Sequence, residues 1–69
     1  MGDPRLASRL KEARTAAGLT QADLAEKAGV SRKTVNTVEN GVFIPSTILA
    51  LSLARALGTT VEDLFWLKD

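Results

Sequence analysis

Residues 18–41 read GLTQADLAEKAGVSRKTVNTVENG, and the fold turns on Gly29-Val30-Ser31 at their middle. On the N-terminal side, Thr20 is placed to cap a helix, with Asp23 three residues later standing in for the Glu or Gln of a capping box. Leu24, Ala25 and Ala28 share the inward face of that helix, and Gly29 is suited to a left-handed stop after only two turns. Ser31 caps a new helix almost at once. Val35 and Val38 point inward from it, and Asn40-Gly41 ends it. Two short helices joined by a tight, Gly-containing turn are the sequence form of a helix-turn-helix. Val30 is expected to tuck into the core, and Ala25, opposite the turn, is small enough to let the helices approach.

Outward from that motif, the chain reads as more short helices. Asp3-Pro4 carries a helix-start signature, a capping carboxylate followed by a residue with no N–H to leave orphaned. Leu6, Leu10, Ala13 and Ala17 then fall on one helical stripe ending at Gly18, with Arg14 at the stripe's edge and its guanidinium in need of a partner. After a loop containing Phe43, Ile44 and Pro45, Ser46 caps a helix running to Leu57 before Gly58. Leu49, Leu53 and Leu57 form its inward stripe, with Ala50, Ala54 and Ala56 beside it. Thr60, followed by Glu62 and Asp63, starts a fifth helix into Leu64, Phe65, Trp66 and Leu67. No segment alternates with a period of two for long enough to predict a strand. The expectation is an all-α, five-helix bundle forming a single domain over residues 1–69.

Composition narrows the function classes. A chain of 69 residues buries only roughly 60% of its unfolded surface, so stability must come from packing and capping. Having neither cysteine nor histidine, it lacks a disulfide framework and the usual zinc, thiol-nucleophile and imidazole-base chemistry. Its acids fall in helix caps or on solvated faces rather than in a constellation, so neither an enzyme nor a metal or other cofactor is expected. Apolar runs such as Ile48–Leu51 fall far short of the roughly 20 residues that span a bilayer. Arg5, Arg9 and Lys11 interrupt any signal-peptide core. A cytoplasmic protein with no membrane partner is expected. The net charge is +1, but it is polarised. Residues 1–33 hold seven Lys or Arg against four acids, and residues 34–69 hold two against four. The first half is therefore the better candidate for meeting an anion.

A helical wheel of the third helix locates the candidate surface. With Arg32 at zero, Asn36 lies at about 40°, Lys33 at about 100° and Thr37 at about 140°, whereas Val38 and Val35 lie at about 240° and 300°. The polar face contains no acid; Glu39, at about 340°, falls on the boundary with the core. An ordinary solvated face mixes both signs of charge. This one offers Arg, Lys and Asn donors and a Thr methyl, groups matched to guanine O6/N7, phosphate, adenine N6/N7 and the thymine methyl in a major groove. Its capped N-terminus at Ser31 would turn N–H groups toward phosphate.

The 18–41 run, with PS at 45–46, LARALG at 53–58 and TVEDLF at 60–65, resembles the phage-repressor and Cro type of helix-turn-helix transcriptional regulators over residues 5–65. The resemblance implies a lambda-repressor-like DNA-binding domain whose third helix reads double-stranded DNA. By position, it implies that Gln21 contacts the DNA backbone and can brace the first recognition-helix residue. Arg32, Lys33 and Thr37 read base edges, Thr34 and Asn36 contact bases or phosphates, and Asn40 contacts phosphate. With Ser31, these make up the candidate DNA-binding set. The resemblance further implies that Arg14 and Glu39 form a structural ion pair, in keeping with their places at the edges of two apolar stripes. It points to a prokaryotic or phage regulator acting at the nucleoid, most simply a repressor.

One face of the fourth helix stands out. Ile48 and Leu51 fall among Thr47, Ser52 and Arg55, on its outer side, leaving an apolar patch that water disfavours. Together with Trp66 and Leu67 they are the expected contacts of a symmetric homodimer reading a palindromic operator, its two recognition helices about 34 Å apart. The alternative is an antitoxin-like or anti-repressor module that uses the same patch to hold a partner protein.

Overall fold

Among the described residues, four of the five helices begin behind a hydroxyl. In the computed structural model, which describes residues 3–68, α2 (Gln21–Ala28), α3 (Arg32–Glu39), α4 (Thr47–Leu57) and α5 (Val61–Leu64) start after Thr20, Ser31, Ser46 and Thr60. Each of these side chains accepts a hydrogen bond from the backbone N–H three residues on, satisfying one donor that a helix leaves orphaned. Asp23 completes a capping box by accepting the Thr20 N–H at 2.9 Å. α2 and α4 end at Gly29 and Gly58 in the left-handed conformation, where a Cβ would clash with the following carbonyl.

The N-terminus departs from the sequence expectation. Asp3-Pro4 starts a turn, not a helix: Asp3 Oδ1 accepts the Arg5 N–H at 2.8 Å and its carbonyl accepts the Leu6 N–H at 3.0 Å. Asp followed by Pro is also the signature of the first two positions of a β-turn, so the same residues carry two meanings. The turn feeds a strand, β1 (Leu6–Ser8), and α1 begins only at Leu10, running to Ala16. Ser8 Oγ accepts the Leu10 N–H at 3.1 Å. Leu6 therefore belongs to a strand, and Ala17, beyond the helix, is exposed. Leu10 and Arg14 are the buried positions of α1.

The C-terminus departs in a matching way. α5 stops at Leu64, and Phe65–Leu67 form β2, antiparallel to β1 with Leu6 opposite Leu67, Ala7 opposite Trp66 and Ser8 opposite Phe65. A helix of one turn has little to lose by ending, and Phe-Trp favours extended backbone. The architecture is mostly helical, as expected, with a small two-stranded sheet in addition. The C-terminal stretch 60–69, whose Trp66 and Leu67 are expected dimer contacts, is described as far as Lys68; Asp69 lies outside the described residues, as do Met1 and Gly2.

The core gathers Leu10, Leu24, Val35, Val38, Leu53 and Leu64 around the smaller Ala25 and Ala54. Val30 and Leu57 pack half-buried against it. Ala25 lets α2 and α3 close upon each other, and α4 lies against α2. The result is a platform from which α3 presents one face outward.

Candidate nucleic-acid interface

The angle of α3 is fixed by a buried polar group. Arg14 Nε donates to Glu39 Oε2 at 2.6 Å and a second guanidinium nitrogen reaches Oε1 at 3.2 Å, while the third donates to the Leu19 carbonyl at 2.8 Å. Only 2% of the Glu39 side chain and 10% of that of Arg14 remain exposed. The bond to Glu39 raises the Arg14 pKa above its ordinary value, against the burial that would lower it. α1 is thus pinned to the last residue of α3 by a two-pronged, charge-assisted contact.

The outer face of α3 is exposed at Arg32, Lys33, Asn36 and, just past its end, Asn40. Thr34 and Thr37 lie half-buried between these and the core. Both threonine hydroxyls are engaged locally: that of Thr34 shares a 2.8 Å bond with Ser31, and Thr37 donates to the Thr34 carbonyl at 3.0 Å. Thr37 therefore offers its methyl more readily than its hydroxyl. Gln21, the first residue of α2, is half-buried beside this face and donates to Glu39 Oε1 at 3.1 Å. Its oxygen meets Asn36 Nδ2 at 3.5 Å, and Asn40 Nδ2 donates to Asn36 Oδ1 at 3.3 Å. The polar side chains singled out in the sequence thus come together on one surface, with α2 and α3 meeting across the turn.

Sequence reasoning did not find everything here. The bracing partner of Gln21 is Asn36, not the first residue of the recognition helix, because the helix crossing and not the spacing chooses it. The loop after α3 exposes Val42, Phe43 and Ile44, and the first two line an open groove with Ser31, Lys33, Thr34 and Thr37. The run of three apolar residues before Pro45 was the available signal.

The other expected surface is divided. Ile48 and Leu51, 78% and 56% exposed, project from the same side of α4. Leu51 also lines an apolar groove with Leu6, Ile44, Pro45, Ala50, Val61 and Phe65. Strand alternation places Leu67 on the Phe65 side of the ribbon and Trp66 on the opposite side. There the Arg9 guanidinium lies 5.1 Å from the Trp66 ring centroid, a cation–π contact. Among the described residues no helix is long and apolar enough to cross a membrane.

Comparison with known proteins gives this geometry a family. The helix-turn-helix family model matches residues 10–64. An uncharacterized HTH-type transcriptional regulator of Bacillus subtilis, YgzD, is 40% identical over 62 residues, 90% of this chain and 94% of its own. Another, from Methanothermobacter thermautotrophicus, is 48% identical over 61 residues, 87% and 88% of the two chains. Among solved structures, the restriction-modification controller protein C.AhdI from Aeromonas hydrophila superposes with a TM-score of 0.77 at 42% identity, covering 80% of this chain and 83% of that one. A match over most of the chain, on a fold with two capped helices crossing at a glycine turn, places the protein in the helix-turn-helix family of DNA-binding transcriptional regulators.

Proposed function

We propose that the protein is a sequence-specific repressor that binds a palindromic operator as a homodimer, reading the major groove with α3. The observation that carries this is the acid-free outer face of α3, exposed at Arg32, Lys33 and Asn36 with Thr37 half-buried beside them, and pinned to α1 by the Arg14–Glu39 pair. In this reading Arg32, Lys33 and Thr37 meet base edges, Thr34 and Asn36 meet bases or phosphates, and Gln21 and Asn40 hold the backbone on either side. Ser31 turns the α3 N-terminus to a phosphate. Ile48, Leu51 and Leu67 supply the dimer face, with Trp66 flanking it. The protein acts in the cytoplasm, at the nucleoid.

Selection from a randomised duplex pool at several salt concentrations tests the reading. An enriched inverted repeat and a steep loss of affinity with salt are expected. Lys33→Ala or Arg32→Ala at a base-reading position should cost about 1–3 kcal/mol and relax specificity at one base position. Sedimentation of Leu51→Ser, Leu67→Ser tests the dimer face, and a variant that remains fully dimeric overturns it. The apolar groove beside Leu51 favours one second reading, a protein-interaction module; a pool yielding no enriched sequence and only weak binding would select it.

A further inference from the structure

A line of hydrogen-bonding groups runs from the buried ion pair to the outer face of α3. Glu39 Oε1 accepts from Gln21 Nε2 at 3.1 Å, Gln21 Oε1 meets Asn36 Nδ2 at 3.5 Å, and Asn36 Oδ1 accepts from Asn40 Nδ2 at 3.3 Å. We propose that Glu39, acting through Gln21, fixes the order in which Asn36 presents donor and acceptor to a base pair, which makes Gln21 a specificity-determining positioning residue. The inference rests on α3 being the DNA-reading helix.

The chemistry has a direction. A carboxylate accepts and cannot donate, so the Gln21 amide must turn its NH2 inward and its oxygen outward. That oxygen in turn accepts only, so Asn36 must turn its NH2 toward Gln21 and its oxygen toward Asn40. A side-chain amide on a protein surface otherwise flips by half a turn at little cost, exchanging donor for acceptor. Here the buried end of the line is a carboxylate that accepts two bonds from Arg14, so a reversed Gln21 amide would set its oxygen against Glu39, acceptor against acceptor.

Each link uses one N–H or one lone pair of Asn36. One N–H on the Gln21 side and one lone pair on the Asn40 side remain. A donor and an acceptor in fixed order match adenine, which shows N7 as acceptor and N6–H as donor in the major groove; guanine shows two acceptors there. The Gln21–Asn36 link is the longest of the three, so its loss should weaken the preference, not abolish it.

The test is equilibrium binding of the full chain to its enriched duplex and to duplexes carrying each other base pair at every position. Asn36→Ala locates the position that Asn36 reads, by erasing the preference there. Gln21→Met keeps the stem of the side chain and removes its amide while leaving the ion pair whole. The expected result is a fall of about fivefold or more in base preference at that same position, the lower end of what a bidentate contact provides, with ratios elsewhere unchanged. The double variant should lose no more preference there than Asn36→Ala alone.

If Gln21→Met weakens every duplex by one common factor, Gln21 is a phosphate contact only and the inference is overturned while the DNA-reading role stands. The inference is likewise overturned if preference changes at a position that Asn36→Ala does not touch. A pool that enriches nothing overturns the DNA-reading assignment itself, and the positioning role with it.

Discussion

Removing the Arg14 guanidinium should expose how much the fold depends on one buried contact. In Arg14→Met the side chain keeps its length and apolar stem, but the Glu39 carboxylate loses partners at 2.6 and 3.2 Å and the Leu19 carbonyl loses its donor at 2.8 Å. With 2% of its side chain exposed, Glu39 cannot turn to water without moving the end of α3. Breaking a buried pair from one side costs about 3–5 kcal/mol. A chain of this size has only about 3–10 kcal/mol in total. Arg14→Met should therefore fall by more than about 12 °C in Tm, at the roughly 4–8 °C per kcal/mol usual for small domains, or fail to fold at room temperature. Glu39→Leu should behave alike, since it leaves the guanidinium unpaired. The double variant Arg14→Met, Glu39→Leu removes both charges and should recover to within about 2 kcal/mol of the parent. Urea unfolding followed by circular dichroism measures all four proteins, and the cycle isolates the coupling. Additive losses, with the double variant as damaged as the sum of the two singles, would refute the reasoning.

Three further outcomes follow from local geometry. Ser31→Ala removes the acceptor for the Thr34 N–H and should cost about 1 kcal/mol in urea unfolding, with Thr20→Ala similar. In Gly29→Ala the new Cβ meets no atom within 4 Å beyond its own stretch of backbone, so its cost, about 1–2 kcal/mol, comes from placing an L side chain at φ 72°; Gly29→Asn should cost less, and equal costs would point to packing instead. Asp3 titrates at about 2 instead of 3.8, because the Arg5 side chain and backbone N–H donate to its carboxylate. A lowered pKa means that the contribution of this turn is complete above about pH 4 and is lost as the pH falls toward 2. Carboxyl chemical shifts in Arg5→Ala should return Asp3 toward the ordinary range; an unmoved midpoint would show the turn backbone to be sufficient.

The parts of this molecule that could be read in advance are those written locally. Each helix start at Thr20, Ser31, Ser46 and Thr60 depends on a hydroxyl and an N–H three residues apart, and each follows from the chain alone. The inward stripe of α4 and the exposure of Ile48 and Leu51 are equally local, being a matter of 100° per residue. The strands are not local. Three residues show no period of their own, and Leu6 is extended because Leu67 lies beside it. Arg14 and Glu39 stood at the edges of apolar stripes, which marked both as needing partners, and the family resemblance paired them. The meeting of Gln21 with Asn36 has no such mark, because it is created by the angle at which α2 crosses α3.

The β1–β2 ladder also bears on the order of folding. Its partners stand about 60 residues apart, and closing a loop of that length costs roughly 3–4 kcal/mol of chain entropy before any pairing is gained. α2 and α3, joined by a three-residue turn, face almost no such cost. The ladder is therefore expected to assemble after the helices and to fray before them. The α2–α3 pair then nucleates early, while Leu67 and Trp66 reach their places only once β1 and β2 have zipped together.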